Sequence, residues 1–401
     1  TKRQRRNAEV AELADAHGSG PCGSNTLWVR LPSSASQELS IYWALLSFLE
    51  NSENMIRLWK RRRAMIDLHL HLDGSLNGEQ IRTLAKMSKT ELPVRDLPGL
   101  EKLLTVSPGC TSLAEYLEKF ELPLSVLQTE ETISEAVAML TETLAEEGLC
   151  YGEIRFAPQL HMQRGLTQRQ IVEAAAEGLQ RGSRKTQMPA QLILCCMRGE
   201  DNDRENRDTV QAAAEYLGKG ICGLDLAGNE GAYPTSGYKD LFAMASEANI
   251  PFVIHAGEAA GAESVKWAVE FGARRIGHGL RALECERTIA LLRDRKIPLE
   301  LCYTSNLQTK AANSPETYPL RRFMEKGVRV TVNTDNMTVS GTTLKQEYRL
   351  LGIQQGLDRG ILKGLALSAA EAAFLPEKEK EKLKAVIERK FYSWLEDKWE
   401  K

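Results

Sequence analysis

The feature that most limits the fold of this chain is a regular alternation of short apolar runs with longer stretches of helical spacing. From Met65 onward we count eight apolar runs, at residues 66–70, 149–156, 191–197, 221–226, 251–254, 274–276, 298–301 and 329–332. The stretches between most of them are rich in Ala, Leu, Glu and Lys. Eight strands that alternate with helices are typical of a closed, parallel (β/α)8 barrel of the TIM type. The sequence therefore predicts an α/β fold of this class.

Three parts of the chain depart from the regular alternation. Residues 77–130, between the first two runs, are long and helical, which predicts an insertion that forms a lid or rim over the barrel mouth. Residues 342–401 predict further helices after the last strand. The run at 274–276 is short and begins with a charge, so it is the weakest of the predicted strands.

The first 64 residues have a different composition from the rest. They contain a Gly/Ser/Pro-rich patch at 17–24, a basic cluster at 60–63 and no sustained periodicity. The apolar run at 41–49 is too short to cross a bilayer, which takes about 20 residues. We expect residues 1–64 to be a poorly ordered N-terminal extension, and residues 65–401 to form one barrel domain.

Charge and cysteine content narrow the classes of function. The formal net charge of −2 provides no basic field for nucleic acid or anionic membrane, and it favours a small, roughly neutral partner. The eight cysteines occur without a C-x-x-C pair, and several lie inside apolar runs. This pattern predicts reduced core thiols and a cytoplasmic protein. The sequence gives no evidence of an obligate protein partner.

Histidines cluster at the predicted strand ends. His69 and His71 are two residues apart and so share one face of the first strand, while His255 and His278 end the fifth and sixth strands and Asp335 follows the eighth. The C-terminal ends of barrel strands converge on one mouth. Nitrogen and oxygen ligands of this kind suit zinc with an open position for water. The other two histidines, His17 and His161, are interpreted as exposed polar residues.

The segments that carry these residues resemble the adenosine deaminase family of metal-dependent amidohydrolases. The matching segments are HLHLDGSL (69–76), LDLAGNE (224–230), HAGE (255–258), RIGHG (275–279), TSN (304–306) and NTDN (333–336). They occur in the family's order, and they extend from about Met65 to Tyr348.

The resemblance implies hydrolytic deamination of adenosine or 2′-deoxyadenosine to inosine or 2′-deoxyinosine, in purine salvage. One Zn²⁺ per chain would be held by His69, His71, His255 and Asp335, and it would lower the pKa of a bound water. Glu258 would be the proton donor, His278 would orient the attacking water, and Asp335 would also accept its proton. Substrate contacts are implied for His71, Asp73, Gly228 and Asn336, with Ser305 behind the site. Asn229 and Glu230 are predicted to be loop only.

Asn336 departs from the family pattern, which has two successive acidic residues at this point. A neutral amide changes how the purine is recognised, so the exact 6-aminopurine substrate stays open. The alternatives are deamination of adenine or another 6-aminopurine derivative, and a non-catalytic nucleoside-binding barrel. The chain lacks the H-x-E and C-x-x-C signature of deaminases that edit nucleic acids.

Overall fold

The computed structural model describes residues 63–396. The remaining predictions for the N-terminal extension, at residues 1–62, lie outside the described residues. Eight strands follow in chain order, at Met65–His71 (β1), Leu149–Phe156 (β2), Ala190–Met197 (β3), Ile221–Ala227 (β4), Val253–Ala256 (β5), Arg275–His278 (β6), Leu299–Leu301 (β7) and Val330–Val332 (β8). All eight predicted strands are present, the weak sixth one included.

The strands form a ring of two parallel four-stranded sheets, β1 to β4 and β5 to β8. One seam carries a bridge between Leu224 and Phe252, and the other a bridge between Leu70 and Asp335. At the second seam the His71 N–H donates to the Asp335 carbonyl at 2.8 Å, and the Asp335 N–H donates to the His69 carbonyl at 2.7 Å. The predicted (β/α)8 class is confirmed, and few backbone hydrogen bonds join the two sheets at either seam of the ring.

Seventeen helices accompany the strands in the described part of the chain. They are Leu72–Ser75 (α1), Gly78–Ser88 (α2), Leu97–Leu104 (α3), Leu113–Leu117 (α4), Glu121–Val126 (α5), Glu130–Glu146 (α6), Gln168–Thr186 (α7), Asp203–Tyr216 (α8), Lys239–Glu247 (α9), Ala262–Phe271 (α10), Glu286–Asp294 (α11), Tyr303–Gln308 (α12), Leu320–Glu325 (α13), Met337–Ser340 (α14), Leu344–Gln354 (α15), Arg359–Ala372 (α16) and Glu377–Glu396 (α17). Short 3₁₀ turns occupy Glu118–Phe120, Pro158–His161, Thr235–Tyr238 and Leu280–Glu284. Helices α2, α6 and α7 begin at capping boxes on Asn77, Thr129 and Thr167.

The interior of the barrel is polar on alternate strand positions, while the intervening apolar side chains pack outward against the helices. Asp67 and His69 of β1, and Glu153 and Arg155 of β2, are each two residues apart and have no solvent exposure. The period of two in a strand puts each pair on one face. Because Leu68, Leu70 and Ile154 belong to the continuous apolar core, the opposite face of these strands holds the helices.

Two features at the ends of the barrel bear on the sequence predictions. Arg63 and Ala64, placed in the extension by composition, are both buried, and the Arg63 guanidinium donates to the carbonyls of Ala145 and Thr186. The position of the domain boundary stays a prediction, and a truncation that tests it should retain Arg63.

The insertion between β1 and β2 contributes α2 to α5 and the start of α6, and its α4 and α5 line the barrel mouth.

The cysteines agree with their sequence interpretation in the described chain. Seven are free thiols, of which six are buried and Cys285 is half-buried. Across residues 63–396, no helix has both the length and the apolar character needed to cross a membrane.

Candidate active site

Side chains from four strand ends meet inside the barrel mouth. Ligand-type atoms of His69, His255, His278 and Asp335 all lie within 4.8 Å of one another, and all four residues are buried. His71 joins them from the end of β1, with its Nε2 3.4 Å from Nε2 of His255. The structure therefore brings together all five residues that the sequence places at this mouth.

The distances between these atoms suit the ligands of a metal ion with tetrahedral coordination. Nε2 of His69 and Nε2 of His71 lie 3.4 and 3.5 Å from Oδ1 of Asp335. Zinc–nitrogen and zinc–oxygen bonds of about 2.0–2.2 Å at tetrahedral angles place neighbouring ligand atoms about 3.3–3.6 Å apart. Nε2 of His69 is also buried without a hydrogen-bond partner within residues 63–396, which a metal bond would remedy. The residues present therefore fit a metal ion.

A buried carboxylate orients each of two histidines. The Nδ1–H of His69 donates to Oε2 of Glu300 at 2.9 Å, and the Nδ1–H of His255 donates to Oδ2 of Asp225 at 2.9 Å. A proton fixed on Nδ1 leaves Nε2 with a free lone pair. Both rings thus present Nε2 to the cluster in the form that binds metal.

Arg155 joins the two orienting carboxylates. Its guanidinium donates to Asp225 Oδ2 and to Glu300 Oε2, at 2.9 Å each. Burial opposes ionisation of both acids, yet the cations beside Glu300 hold its pKa well below the usual range, and His255 and Arg155 do the same for Asp225. The carboxylates therefore remain charged hydrogen-bond acceptors inside the barrel.

The histidines of the cluster differ in their titration. Burial lowers the pKa of His255, and it holds the pKa of His71 and His278 well below the ordinary value. Burial acts in the same direction on His69, but the nearby carboxylates of Asp335 and Glu300 raise its pKa overall. Neutral imidazole is the form that binds a cation, and among these rings His71 and His255 combine that form with a position beside Asp335 or His69 in the cluster.

His278 is oriented differently from His69 and His255. Its Nδ1 lies 2.9 Å from the side-chain nitrogen of Asn306, whose amide oxygen accepts from the Tyr318 hydroxyl at 3.0 Å. This assignment makes Asn306 the donor and Nδ1 the acceptor, so the His278 proton is on Nε2. The Nε2–H group faces Glu258 Oε2 at 3.5 Å. His278 therefore presents a donor to the site, where His69 presents a lone pair.

Glu258 is a buried carboxyl beside this cluster. Burial, together with the negative charges of Asp335 and Glu230, raises its pKa to about 8. By contrast, although burial opposes ionisation of Asp335, the imidazoles of His69, His278 and His71 hold its pKa far below the usual value. Two carboxyls in one site thus differ in charge at neutral pH, which is the arrangement that general acid catalysis needs.

The backbone around the cluster has two strained residues, and side-chain hydrogen bonds hold it in place. His278 and Asp335 both have left-handed φ angles, of 59° and 63°. Such conformations cost about 1–3 kcal/mol each in non-glycine residues and persist only where surrounding contacts enforce them. Asp67 accepts from the His69 N–H at 3.1 Å and from the Thr334 hydroxyl at 2.6 Å, while the Ser305 hydroxyl donates to Asp335 Oδ2 at 2.5 Å.

A cavity of about 210 Å³ opens onto these groups. Apolar side chains of the insertion form one wall, namely Leu113, Leu117, Phe120 and Leu124. Asp73, Gly228 and Asn336 line the cavity along with His71, Glu258 and Asp335. Oδ1 of Asp73 and Oδ1 of Asn336 are buried without hydrogen-bond partners in the described chain. The cavity is therefore apolar on one side, with unpaired polar groups available to a ligand.

The comparisons with known proteins agree with this geometry. The family model described as "Adenosine deaminase" matches residues 65–390. The chain belongs to the adenosine deaminase family. This match confirms the resemblance inferred from the six sequence segments, and members of this family are metal-dependent amidohydrolases.

Individual known proteins match about four fifths of the chain. An adenosine deaminase from Haemophilus ducreyi is 48% identical over 331 residues, which are 82% of this chain and 96% of the relative. An adenosine deaminase from Clostridium botulinum is 39% identical over 323 residues, or 80% and 96% of the two chains. The crystal structure of an adenine deaminase from Arthrobacter aurescens is similar with a TM-score of 0.74 and 25% identity, covering 82% of this chain and 99% of the other.

Several residues that shape this deaminase-family site were missed by sequence reasoning. The sequence patterns assign no role to Arg155, Glu300 or Asp225, and they predict that Glu230 is loop only. The first three are charged residues inside apolar runs, which is a usable signal because a buried charge needs a partner. The prediction of an exposed His161 is wrong. It is fully buried, and its Nδ1 lies 2.8 Å from the Leu127 carbonyl, where burial lowers its pKa to about 4.

Proposed function

We propose that this chain catalyses the hydrolytic deamination of adenosine and 2′-deoxyadenosine to inosine and 2′-deoxyinosine, with release of ammonia, in purine salvage. The observation that carries the proposal is the buried Glu258, with its raised pKa, beside a histidine and aspartate cluster suited to a metal. The adenosine deaminases from H. ducreyi and C. botulinum supply the choice of substrate.

We assign the metal site to His69, His71, His255 and Asp335, and the metal to zinc. Three imidazole nitrogens and one carboxylate oxygen are ligands that zinc accepts in catalytic sites. When bound, the ion supplies Lewis acidity that makes water nucleophilic near neutral pH. His278 is excluded from this set because its Nε2 carries a proton.

The chain's own residues supply the proton transfers. Glu258, protonated at neutral pH, donates to the purine ring nitrogen next to the amino-bearing carbon, which makes that carbon more electrophilic. His278 donates its Nε2–H to the attacking water oxygen and so sets its direction. Asp335, ionised in the resting site, accepts the first proton that the water loses and passes it to the leaving amine, which departs as ammonia. The remaining hydroxyl proton returns to Glu258 as the carbonyl of the product forms. The apolar wall excludes bulk water and keeps Glu258 protonated.

Substrate positioning falls to the polar groups along the cavity. Asp73, buried with an unpaired oxygen, accepts a hydrogen bond from the sugar 5′-hydroxyl. Gly228 lines the cavity with a φ of 100°, a conformation that favours glycine, and without a side chain its backbone can approach a purine ring nitrogen. Asn336 faces the same cavity and contacts the far side of the purine.

The second candidate function is deamination of adenine or another 6-aminopurine. It is favoured by the likeness to the adenine deaminase from A. aurescens and by the neutral Asn336. Asp73 argues against it, because a sugar-binding carboxylate has no partner on a free base. The chain is proposed to act in the cytoplasm on small purines without a nucleic acid or membrane partner.

A substrate panel with metal analysis tests the proposal. Ammonia release is measured for adenosine, 2′-deoxyadenosine and adenine, using protein purified without chelators, and zinc is quantified per chain. We expect kcat/KM for the two nucleosides to exceed that for adenine, with one zinc per chain. Efficient turnover of adenine without turnover of adenosine would overturn the substrate assignment, and absence of stoichiometric metal would favour a non-catalytic barrel.

A further inference from the structure

The turn that follows β5 is held by one buried carboxylate from elsewhere in the barrel. Glu230, three residues after β4, is 2% exposed. Its Oε1 accepts from the Gly257 N–H at 2.7 Å. Its Oε2 accepts from three successive N–H groups, those of Glu258 at 3.0 Å, Ala259 at 2.7 Å and Ala260 at 2.9 Å. The Ser264 hydroxyl also donates to Oε1.

The backbone of this turn is shaped to present those N–H groups together. Gly257 has a φ of 74°, and a Cβ at this position would lie 2.5 Å from Val265 Cγ2. A left-handed residue followed by successive converging N–H groups makes a cradle that binds anions. Here the anion is the protein's own carboxylate, and hydrogen bonds to a charged acceptor are about twice as strong as neutral ones.

The end of β5, just before the turn, is held by a second buried charged side chain, that of Arg198. Arg198 donates to the His255 carbonyl at 2.6 Å and to the Thr235 hydroxyl at 2.9 Å. The Thr235 hydroxyl lies 2.6 Å from that of Ser264, which in turn contacts Glu230. The path of the chain from 255 to 260 is thus fixed by two buried charged side chains.

We propose that Glu230 is a positioning residue that fixes the turn carrying Glu258, and so places the proton donor against the substrate. Glu230 is not among the residues that line the cavity, so it acts through the backbone. A displacement of about 1 Å at a reacting group can cost on the order of 10²-fold in rate. The proposal rests on the role that the proposed function gives Glu258. Glu230 also adds negative charge near that carboxyl, after burial and Asp335.

Two substitutions at this position separate the parts of the argument. Glu230→Gln replaces one acceptor oxygen with an NH₂ group, which cannot accept, so at least one backbone N–H loses its partner. Glu230→Asp keeps the charge but is one methylene shorter, so it cannot reach all four N–H groups. Asn229→Ala is the neighbouring control, because Asn229 contacts only the N–H of Ala232 among the described contacts of its side chain.

The test combines steady-state kinetics with hydrogen exchange on the metal-loaded full chain. For both Glu230 variants we expect kcat per metal-bound chain to fall on the order of 10²-fold. KM should stay within about threefold, because Asp73 and Asn336, which are proposed to bind the sugar and the purine, do not belong to this turn. Amide exchange should speed up in peptides that contain residues 257–260 and stay unchanged elsewhere, which a general loss of stability would not produce. Asn229→Ala should match the wild type in all three measurements.

The exchange measurement separates failure of this proposal from failure of the proposed function. Unchanged exchange at 257–260 would mean that Glu230 does not hold the turn. Faster exchange with kcat within about threefold of the wild type would mean that the position of the turn does not limit catalysis. If Glu230→Gln does not fold, Glu230→Asp alone decides. A wild-type protein that turns over none of the purines refutes the proposed function, and the position of Glu230 is then judged by exchange alone.

Discussion

Replacing Arg155 with methionine would test whether the proposed metal ligands depend on a buried ion network. Arg155, Asp225 and Glu300 have no solvent exposure, and one guanidinium serves both carboxylates. Each carboxylate accepts the Nδ1–H of a proposed zinc ligand, Asp225 from His255 and Glu300 from His69. Methionine retains much of the volume but removes the cation. Both carboxylates would then rise in pKa, which weakens them as the acceptors that orient the rings.

The structure sets the size of the expected effect. Breaking a buried ion pair by removing one partner costs about 3–5 kcal/mol of unfolding free energy. Because one cation here serves two carboxylates, the upper end of that range is expected, although Arg275 still contacts Glu300. Loss of an outer hydrogen-bond partner lowers metal affinity about 10- to 100-fold. Since two ligands are affected together, we expect a loss of zinc affinity near 100-fold.

Zinc affinity is measured by competition with a chromogenic chelator, and stability by thermal unfolding of metal-loaded protein. Arg181→Met is the control, because the Arg181 ion pair with Glu135 is on the surface, with the arginine side chain 53% exposed. An exposed pair contributes about 0–1 kcal/mol, so this variant should match the wild type in both assays. Arg155→Met protein with wild-type zinc affinity and wild-type Tm would refute the reasoning that links the network to the metal site.

Three further predictions concern the proton donor and the cavity. Glu258→Gln should retain zinc but lose about 10²- to 10⁴-fold in kcat, because the amide keeps the shape and cannot transfer the proton; near-normal kcat would move that role elsewhere. Glu258 must be protonated to act and its pKa is raised to about 8, so kcat/KM should fall as pH rises through that region. A dication bound nearby would lower this pKa and shift the fall to a somewhat lower pH. A profile that is flat to about pH 10 would contradict the prediction. Gly74→Ala should raise KM for adenosine on the order of tenfold with little change in Tm, because its Cβ would lie 1.8 Å from Oδ1 of Asn336 and displace that amide; an unchanged KM would show that Asn336 does not contact the purine.

The barrel could be predicted because an apolar run indicates each strand, and such a run can be recognised from the local sequence alone. The ends of the strands were less accurate. The fifth strand is Val253–Ala256 and the sixth is Arg275–His278, so both extend past the predicted ends at 254 and 276. The reason is physical. Functional polar residues such as His255 and His278 interrupt the hydrophobic pattern while the backbone remains extended.

The meeting of the five site residues could also be predicted, because strand ends converge in any barrel of this class. Their partners could not. Arg155 lies two residues from Glu153 on a buried strand, which indicates an inward-facing charge, but its contacts with Asp225 and Glu300 depend on where β4 and β7 lie around the ring. Glu230 could not be predicted, because nothing in the sequence around it indicates that its side chain is buried.

The resemblance implies different roles for Glu258 and Asp335, but the physical cause of that difference could not be predicted from the sequence. Asp335 is surrounded by imidazoles and hydroxyls that favour its charged form, whereas Glu258 has an apolar wall and two negative neighbours that favour its neutral form. Residue type alone would rank Glu258, Glu230 and Asp335 as equivalent acids. Their environments favour a neutral Glu258, which is the proposed proton donor, a Glu230 that accepts from the backbone, and an Asp335 that is ionised in the resting site. The chemistry at each position therefore follows from its neighbours in space.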